Sequence, residues 1–423
     1  MIIGKDTISI FDLILGLSQA VDLVSPLVAN HHKRVAYIAF RLSCELELPA
    51  QERKDVTIAG ALHDVGGLSL KNRLDVMQFE ITDPFAHCET GYLILKTFEP
   101  FSRIADIVRF HHTYWGNGAG AASKGSTVPN GSHILQMADR IAVLINPHSD
   151  VLEQSEGIIE LIEKNSGAMF VPRMVDAFSR LATKEYFWLD AVSPSIGAVL
   201  RHGLEWGELA LGEDDFLGLT NLFSRIIDFR SPFTAAHSSG VAATAEVLAR
   251  LAGMPQQDCM MMRIAGYFHD IGKLSVPAEI LEKPAKLTKQ EYDVIRGHTY
   301  YTGRILEPIP ALDLARTWGS QHHERLDGSG YPFHLKDKEI SLGSRIMAVA
   351  DVFVAISEDR PYRKGMTRAE VIKVLQDLAA DNKLDPRVVS MLRENFDGIN
   401  AVRLSSQAQA AQEYMGVTKE YVR

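Results

Sequence analysis

Apolar residues recur along most of the chain with the 3.6-residue period of an α-helix, and the alternating pattern of a β-strand is scarce. One stripe has the spacing i, i+3, i+4 and i+7: Met261, Ile264, Ala265 and Phe268. Gly272 and Pro277 are expected to end this helix. The next helix is predicted to begin at Thr288, which has capping-box spacing to Glu291. These patterns predict an all-α fold.

The two halves of the chain share an ordered set of motifs, which indicates an internal duplication. The later copy follows the earlier one by 206 residues at first and by 212 residues at the end, a drift that loop insertions explain. The matching segments are His31 and His237, Ala61–Ser69 and Tyr267–Ser275, His111-His112 and His322-His323, and Gly131–Asp139 and Gly343–Asp351. We therefore predict two tandem helical bundles, in domains spanning 1–205 and 215–423 and joined between Gly203 and Asp215.

The composition is that of an ordinary globular protein with enough apolar residues for buried cores. The 423 residues are 46% apolar and 23% charged, and this length suggests more than one domain. The net charge of −9 and the pI of about 5.9 argue against a DNA-binding role, which needs a basic face. A small anionic ligand stays compatible with this balance, because local cations or metal ions can hold it.

The sequence favours a cytoplasmic protein without a membrane segment. Its three cysteines, Cys44, Cys88 and Cys259, are too few and too scattered for a disulfide framework. No run approaches the roughly 20 apolar residues of a membrane span. The first 24 residues carry lysine and aspartate within their apolar pattern, unlike a signal peptide.

The C-terminal half contains seven side chains of the type that hold transition metals in hydrolytic sites. They are His237, His269, Asp270, His298, His322, His323 and Asp351. One ion takes about four to six ligands, so this set suits two ions that share a bridging carboxylate. Asp270 is the natural bridge, because adjacent helical residues point about 100° apart and Asp270 and His269 can reach two sides of a cluster.

A pair of metal ions activates a water molecule and neutralises phosphate oxygens, which is the chemistry that a phosphodiester requires. A single buried histidine is more often a hydrogen-bonded core residue, and a His-His pair is often a surface feature. The recurrence of the whole set, in the same order, in both halves favours a metal centre over these explanations.

Two segments of the C-terminal half carry a family resemblance. His269-Asp-Ile-Gly-Lys273, followed by His322-His-Glu-Arg-Leu-Asp-Gly-Ser-Gly-Tyr-Pro332, resembles the signature of HD-GYP domains, a branch of the HD phosphohydrolase superfamily. The segment from Asp351 to Arg363 is similar to the closing helix and loop of that family. The resemblance implies a bimetallic phosphodiesterase that opens cyclic di-GMP, or a related 3′,3′-cyclic dinucleotide, to the linear 5′-phosphorylated form.

The resemblance also implies a role for each matching residue. The first ion would bind His237, His269, Asp270 and Asp351, and the second would bind Asp270, His298, His322 and His323. Such ligand sets accept Fe, Mn, Zn or Ni, so the metal stays open. Asp270 and Lys273 would be catalytic, with Lys273 near the scissile phosphate. The remaining substrate contacts would be Arg360, Arg363 and the loop residues Gly330, Tyr331 and Pro332. The resemblance also implies that this loop is a docking surface for a protein partner.

Two positions depart from the family pattern. Trinuclear members have a glutamate where this chain has Phe233, and phenylalanine cannot ligate a metal, so we expect two ions. Members usually have a substrate-proximal aspartate where this chain has Val354. Because this aspartate is missing, 3′,3′-cyclic GMP-AMP is a candidate substrate as well as cyclic di-GMP. The tandem layout is similar to that of enzymes that hydrolyse 3′,3′-cyclic GMP-AMP.

The N-terminal half keeps a matching set, which makes it a candidate second metal site. The set is His31 (or its neighbour His32), His63, Asp64, His87, His111, His112 and Asp139. Gly67 stands where the other half has lysine, and the Gly-Tyr-Pro sequence is missing, so this half resembles a divergent HD domain. It could remove the 5′-phosphate of the linear product, serve as a regulatory or dimerising domain, or sense another ligand.

Two other functions compete with the phosphodiesterase interpretation. One is a catalytically idle receptor that binds a cyclic dinucleotide and docks a partner, although such receptors usually lose metal ligands or the lysine. The other is a phosphohydrolase of nucleoside phosphates, since a fold alone does not fix the substrate. The sequence leaves the oligomeric state open, with a homodimer among the alternatives.

Overall fold

The computed structural model describes residues 9–22, 30–67, 85–123, 125–146, 148–204, 206, 218, 232–281, 283, 285–359 and 364–421. The chain divides into two compact units, Ile8–Leu209 and Ala210–Arg423. Helices make up nearly all of the regular secondary structure of the described residues, which confirms the predicted all-α fold. The domain limits of 1–205 and 215–423 stay predictions, and most of the predicted join between Gly203 and Asp215 lies outside the described residues.

The first unit is a bundle of ten described helices. They are α1 (Ile10–Asp22), α2 (His31–Glu45), α3 (Ala50–Leu62), α4 (Phe85–Leu95), α5 (Ser102–Arg109), α6 (Asn130–Leu144), α7 (Val151–Lys164), α8 (Pro172–Ala182), α9 (Glu185–Ala191) and α10 (Ile196–Gly203). A small hairpin pairs β1 (Ala122–Ser123) with β2 (Ser126–Thr127). Helix α2 packs against α3, α6 and α8, so its apolar residues form the centre of the core.

The second unit is a bundle of nine described helices. They are α11 (Pro232–Leu251), α12 (Gln256–Phe268), α13 (Ala278–Leu281), α14 (Lys289–Leu306), α15 (Asp313–Ser320), α16 (Leu342–Ser357), α17 (Arg368–Ala380), α18 (Pro386–Glu394) and α19 (Phe396–Tyr421). Helix α11 packs against α12, α16 and α19 and holds the position that α2 has in the first unit. None of the described helices is both long and apolar enough to cross a lipid bilayer.

Local sequence explains where these helices begin and end. The predicted capping box opens α14, because Thr288 accepts from the Glu291 amide while Glu291 accepts from the Thr288 amide. Helix α12 ends at Phe268, four residues before Gly272, because the backbone leaves the helical conformation at Asp270. A short 3-10 turn, Ile271–Ser275, follows and carries the chain across α14.

A glycine lets two backbones touch at the same place in each unit. A Cβ atom on Gly60 would lie 2.8 Å from the Ala36 Cα, and a Cβ atom on Gly266 would lie 2.4 Å from the Ala242 Cα. Helix α3 therefore crosses α2 backbone to backbone, and α12 crosses α11 in the same way. These crossings bring the first histidine of each half close to its His-Asp pair. The ring centroids of His31 and His63 lie 5.4 Å apart, and those of His237 and His269 lie 5.5 Å apart.

Candidate metal centres

Five histidines of the two clusters are held by one repeated hydrogen bond. In each of them, the ring Nδ1 lies 2.6–2.9 Å from the carbonyl oxygen of the residue three positions earlier. These histidines are His63, His111, His269, His298 and His322. A carbonyl oxygen can only accept, so Nδ1 carries the proton and donates it. The lone pair of the neutral ring then lies on Nε2 and faces the cluster, as in metal-binding histidines.

Asp270 lies between two groups of histidines in the second unit. Its Oδ2 atom is 3.2 Å from the His269 Nε2. Its Oδ1 atom is 3.3 Å from the His298 Nε2 and 3.9 Å from the His322 Nε2. Each oxygen of this carboxylate therefore faces a different ligand group, which is the arrangement expected of a bridge between two ions.

Asp351 and Glu358 extend the first of these groups. Asp351 Oδ1 lies 3.3 Å from the His237 Nε2, and its Oδ2 lies 3.8 Å from the His323 Nδ1. The other nitrogen of His237 lies 3.2 Å from Glu358 Oε2. Burial alone lowers the pKa of His237, but the Glu358 and Asp351 carboxylates outweigh it and raise this pKa to about 10. The two carboxylates thus stabilise a cation here, and a metal ion bound at the His237 Nε2 would displace the proton from that nitrogen.

His298, His323 and Asp270 have the protonation states that metal binding requires. Burial lowers the pKa of His298 to about 4 and that of His323 to about 3. Burial by itself raises the pKa of Asp270, but His269 and Lys273 outweigh it and hold this pKa well below its usual range. Neutral imidazoles and ionised carboxylates are the forms that coordinate metal ions.

Unsatisfied buried atoms indicate that the donor sets could hold metal ions. Within the described residues, these atoms make no hydrogen bond: His269 Nε2, Asp270 Oδ1, His63 Nε2, Asp64 Oδ1 and His112 Nε2. Leaving such an atom unsatisfied costs about 1–3 kcal/mol, so several together indicate a binding site. Among the residues that the structure describes, the potential ligand atoms form four groups, each within 4.8 Å: His31, His63 and Asp64; His87, Cys88, His111 and His112; His237, His269 and Asp270; and His298, His322 and His323.

Gly272 controls the distance between the His-Asp turn and α14. A Cβ atom on this residue would lie 1.9 Å from the carbonyl oxygen of His298, and the Gly272 amide donates to Thr302 Oγ1. Gly66 has the same relation to His87, with a Cβ to carbonyl distance of 2.1 Å. Only glycine fits at these points, so the glycine of each motif sets how closely the two ligand groups approach.

Lys273 and the Gly-Tyr-Pro loop lie beside the second-unit cluster. The Lys273 Nζ donates to Asp270 Oδ2 at 2.6 Å, and its side chain is 27% exposed, so it can reach a bound ligand. Tyr331 packs its ring 5.0 Å from the ring of His323, while Arg296 lies over the tyrosine. Glu324 holds this loop by accepting from the amides that follow Pro332. Arg360 and Arg363 lie outside the described residues, as does the Phe233 side chain.

The first unit reproduces the cluster with closely similar distances. Asp64 Oδ2 lies 3.3 Å from the His63 Nε2, and Asp64 Oδ1 lies 3.5 Å from the His87 Nε2. Asp139 Oδ1 lies 3.3 Å from the His31 Nε2, as Asp351 does from His237. His31 therefore has the position in the first unit that His237 has in the second, and its role as a metal ligand stays a prediction.

Three features of the first unit were missed from the sequence. His32, the neighbour of His31, pairs its Nδ1 with Asp22 at 2.5 Å and is buried. Arg140 forms a buried ion pair with Asp139. Cys88 lies among the histidines of the second ligand group. Each side chain lies next to a motif histidine or aspartate, but only the folded chain brings its partners together. Glu358 in the second unit was missed for the same reason.

The fold and these clusters define the class of the protein. A family model described as an HD domain matches residues 28–144, and a second model, also described as an HD domain, matches residues 221–388. The chain belongs to the HD-domain family, in a tandem arrangement shared with phosphodiesterases, and this confirms the resemblance found in the sequence. The narrower HD-GYP assignment and the ligand role of each residue stay predictions.

Particular relatives are similar over different parts of the chain. The 3′3′-cGAMP-specific phosphodiesterase 1 of Vibrio cholerae is 31% identical over 391 residues, covering 90% of this chain and 90% of the relative. A cyclic di-GMP phosphodiesterase of Pseudomonas aeruginosa is 41% identical over 157 residues, or 37% of each chain. The chain also superimposes on the crystal structure of a cyclic GMP-AMP-specific phosphodiesterase of V. cholerae, with a TM-score of 0.65 and 24% identity. The match covers 92% of this chain and 98% of that chain, so the two proteins share the fold.

Proposed function

We propose that the second unit hydrolyses 3′3′-cyclic GMP-AMP to a linear dinucleotide that carries a 5′-phosphate. The observation that carries this proposal is Asp270, whose two oxygens face separate histidine groups 3.2 and 3.3 Å away. This geometry suits two ions about a shared carboxylate, which is the arrangement used to cleave phosphate esters. The complete ligand set and Lys273 also favour an enzyme over an idle receptor.

These distances support the ligand sets that the family resemblance implies. One ion would be held by His237, His269, Asp270 and Asp351, and the other by Asp270, His298, His322 and His323. Two divalent ions there would polarise a water molecule and neutralise phosphate oxygens. Imidazole and carboxylate ligands suit Fe, Mn, Zn and Ni, so the metal itself is to be found by analysis.

The protein's own residues position and stabilise the reacting phosphate. Lys273 Nζ, 2.6 Å from Asp270, is close enough to contact a phosphate oxygen, where a fixed positive charge stabilises the transition state. Tyr331 and Arg296 form a wall beside His323 against which the nucleotide can lie. Water adds to phosphorus, the bond from phosphorus to the 3′ oxygen breaks, and that oxygen takes up a proton. The product therefore keeps the phosphate on its 5′ carbon.

Two observations favour cyclic GMP-AMP over cyclic di-GMP. The similarity to a cyclic GMP-AMP enzyme extends over 90% of the chain, whereas that to the cyclic di-GMP enzyme from P. aeruginosa covers 37%. Val354, at the position where the family usually has an aspartate, is fully buried and offers no charge to a substrate. The proposed selectivity thus concerns the nucleobases, whereas the metal centre acts on the phosphates that both ligands share.

A parallel product analysis tests this proposal. Metal-loaded full-length protein is given 3′3′-cyclic GMP-AMP and cyclic di-GMP separately, and the linear products are separated by chromatography. We expect faster cleavage of cyclic GMP-AMP, and a Val354→Asp variant that moves the ratio toward cyclic di-GMP. Equal rates for both substrates would overturn the selectivity, and cleavage of neither by protein that contains metal would overturn the activity.

A second candidate activity belongs to the first unit, because its cluster repeats the same geometry around Asp64. We propose that this unit removes the 5′-phosphate of the linear product. An Asp64→Ala variant of the full chain should accumulate the 5′-phosphorylated dinucleotide, whereas the wild type releases inorganic phosphate. Identical products from both proteins would leave a regulatory or dimerising role for this unit. A protein partner at the Gly330–Pro332 loop and a homodimer stay predictions.

A further inference from the structure

Cys88 distinguishes the first-unit cluster from its counterpart in the second unit. It lies in α4, directly after His87, and is 1% exposed. Its sulfur lies 3.6 Å from the His87 Nε2 and 3.4 Å from the His111 Nδ1. The second unit has Thr299 at the matching position, 211 residues later. Thr299 donates its hydroxyl to the Arg296 carbonyl, so it is engaged with its own helix.

The distance from the Cys88 sulfur to the His87 Nε2 matches that between two ligands of one tetrahedral ion, whereas the His111 Nδ1 near the sulfur donates to the Val108 carbonyl and is not a ligand atom. Metal bonds of about 2.0–2.1 Å to nitrogen and about 2.3 Å to sulfur give ligand separations of about 3.3 Å between nitrogens and about 3.6 Å between nitrogen and sulfur. The His87 and His111 Nε2 atoms lie 3.4 Å apart, and the sulfur lies 3.6 Å from the His87 Nε2. The separations therefore suit a metal held by nitrogen and sulfur together.

An independent observation points to a ligand at the same place. His112 is 96% buried, since its exposed fraction is 4%, and its Nε2 makes no hydrogen bond within the described part of the chain. This residue belongs to the same group of ligand atoms as Cys88, all within 4.8 Å of one another. The polar interior here is thus arranged for a cation, and the cysteine is part of it.

We propose that Cys88 is a thiolate ligand of a metal ion in the first unit, together with His87, His111 and His112. Sulfur ligands favour thiophilic ions such as Zn²⁺ over Mn²⁺, whereas the histidine and carboxylate set of the second unit accepts either. The two units then differ in metal preference although their folds repeat. This inference does not rest on the substrate of the second unit.

Cobalt substitution tests the thiolate bond directly. Full-length protein is stripped with a chelator and titrated with Co²⁺ while its absorption spectrum is followed. A sulfur-to-cobalt charge-transfer band in the near ultraviolet is expected for the wild type, Cys44→Ser and Cys259→Ser. The band should be lost in Cys88→Ser and Cys88→Thr, the latter copying the second unit. Retention of the cobalt d–d bands and of the wild-type thermal unfolding midpoint would show that these variants are folded.

Two spectral outcomes overturn the proposal without reference to folding. One is a wild-type protein that binds Co²⁺ in both units and has no charge-transfer band. The other is a band that persists in Cys88→Ser or disappears in one of the two control variants. Failure of the first unit to take up any Co²⁺ also overturns it. Because the readout is spectroscopic, a failure of cyclic-dinucleotide cleavage would count against the proposed function and leave this test intact.

Metal competition provides a second measurement. Wild-type and Cys88→Ser proteins are dialysed against mixtures of Zn²⁺ and Mn²⁺, and the bound metals are counted by mass spectrometry. We expect the variant to lose about tenfold or more of the preference for Zn²⁺ at one site per chain. Equal ratios in the two proteins would contradict a role of Cys88 in metal selection.

Discussion

Replacing Gly272 by alanine should separate the two ligand groups of the second unit. The added Cβ would lie 1.9 Å from the carbonyl oxygen of His298, whereas an ordinary contact of a Cβ atom is 3.4–4 Å. Either α14 or the Ile271–Ser275 turn must then move by more than 1 Å. A displacement of about 1 Å in a catalytic site costs about 100-fold in rate, and overpacking costs about 1–3 kcal/mol of stability.

The assay for this variant is kcat/KM for cyclic-dinucleotide cleavage, with thermal unfolding and metal content measured on the same samples. Gly398→Ala is the matched control, because a Cβ atom there meets nothing within 4 Å on the exposed face of α19. We expect Gly272→Ala to lose about 100-fold or more in kcat/KM and Gly398→Ala to keep wild-type activity. Wild-type activity in Gly272→Ala would refute the role of this glycine in setting the spacing.

Three further substitutions test other parts of the account. Asp270→Ala should lower turnover by about 10⁴-fold and reduce the metal content of the chain, as measured by kinetics and metal analysis; full activity would contradict a bridging carboxylate. Glu358→Gln should weaken metal binding by about 10–100-fold in chelator competition, with kcat largely kept at saturating metal, because Glu358 orients His237. Asp385→Ala should cost about 2 kcal/mol in urea unfolding at pH 7, because it removes both the side-chain cap of α18 and the ion pair with Arg345. Burial by itself raises the pKa of Asp385, but Arg345 and the α18 amides outweigh it and lower this pKa overall. The difference in unfolding free energy should therefore shrink as the pH falls below about 3.9, where the carboxylate of the unfolded chain takes up a proton. An unchanged difference at pH 3 would contradict this prediction.

Much of the architecture was predictable because the motif residues keep their order and spacing in both halves. The gap of 24 residues from His87 to His111 equals that from His298 to His322, and the structure gives both pairs Nε2 separations of 3.3–3.4 Å. A repeated spacing of this kind reflects one fold used twice. The all-α class followed from helical periodicity, because every long apolar pattern had the same period.

Helix ends and ligand support were harder to predict. Helix α12 stops at Phe268 although the next glycine is Gly272, because the His-Asp pair must leave the helix to face the cluster. The close approach of Gly272 to His298 depends on a helix some 25 residues later, and no local pattern reveals it. Residues that hydrogen-bond to a candidate metal ligand and orient it are brought there by tertiary contacts, so sequence spacing does not reveal them.

Glu358 and Cys88 illustrate two ways in which a residue that contacts a candidate metal centre escapes sequence analysis. Glu358 lies 121 residues after His237, and its charge alone does not distinguish it from a surface glutamate. Cys88 stands beside a motif histidine, but three scattered cysteines gave no spacing typical of a metal site. A comparison of the two halves position by position, with Cys88 against Thr299, is the sequence observation that could have identified it.

The central claim is that Asp270 holds a two-metal centre that opens a cyclic dinucleotide. The most direct test is the rate of 3′3′-cyclic GMP-AMP cleavage by full-length wild type and by Asp270→Asn, with the metal content of each sample determined in parallel. We expect the wild type to form the linear dinucleotide, and Asp270→Asn to be folded, poorer in metal and inactive. Cleavage by Asp270→Asn at the wild-type rate, or no cleavage by wild type that retains its metal, would contradict the claim.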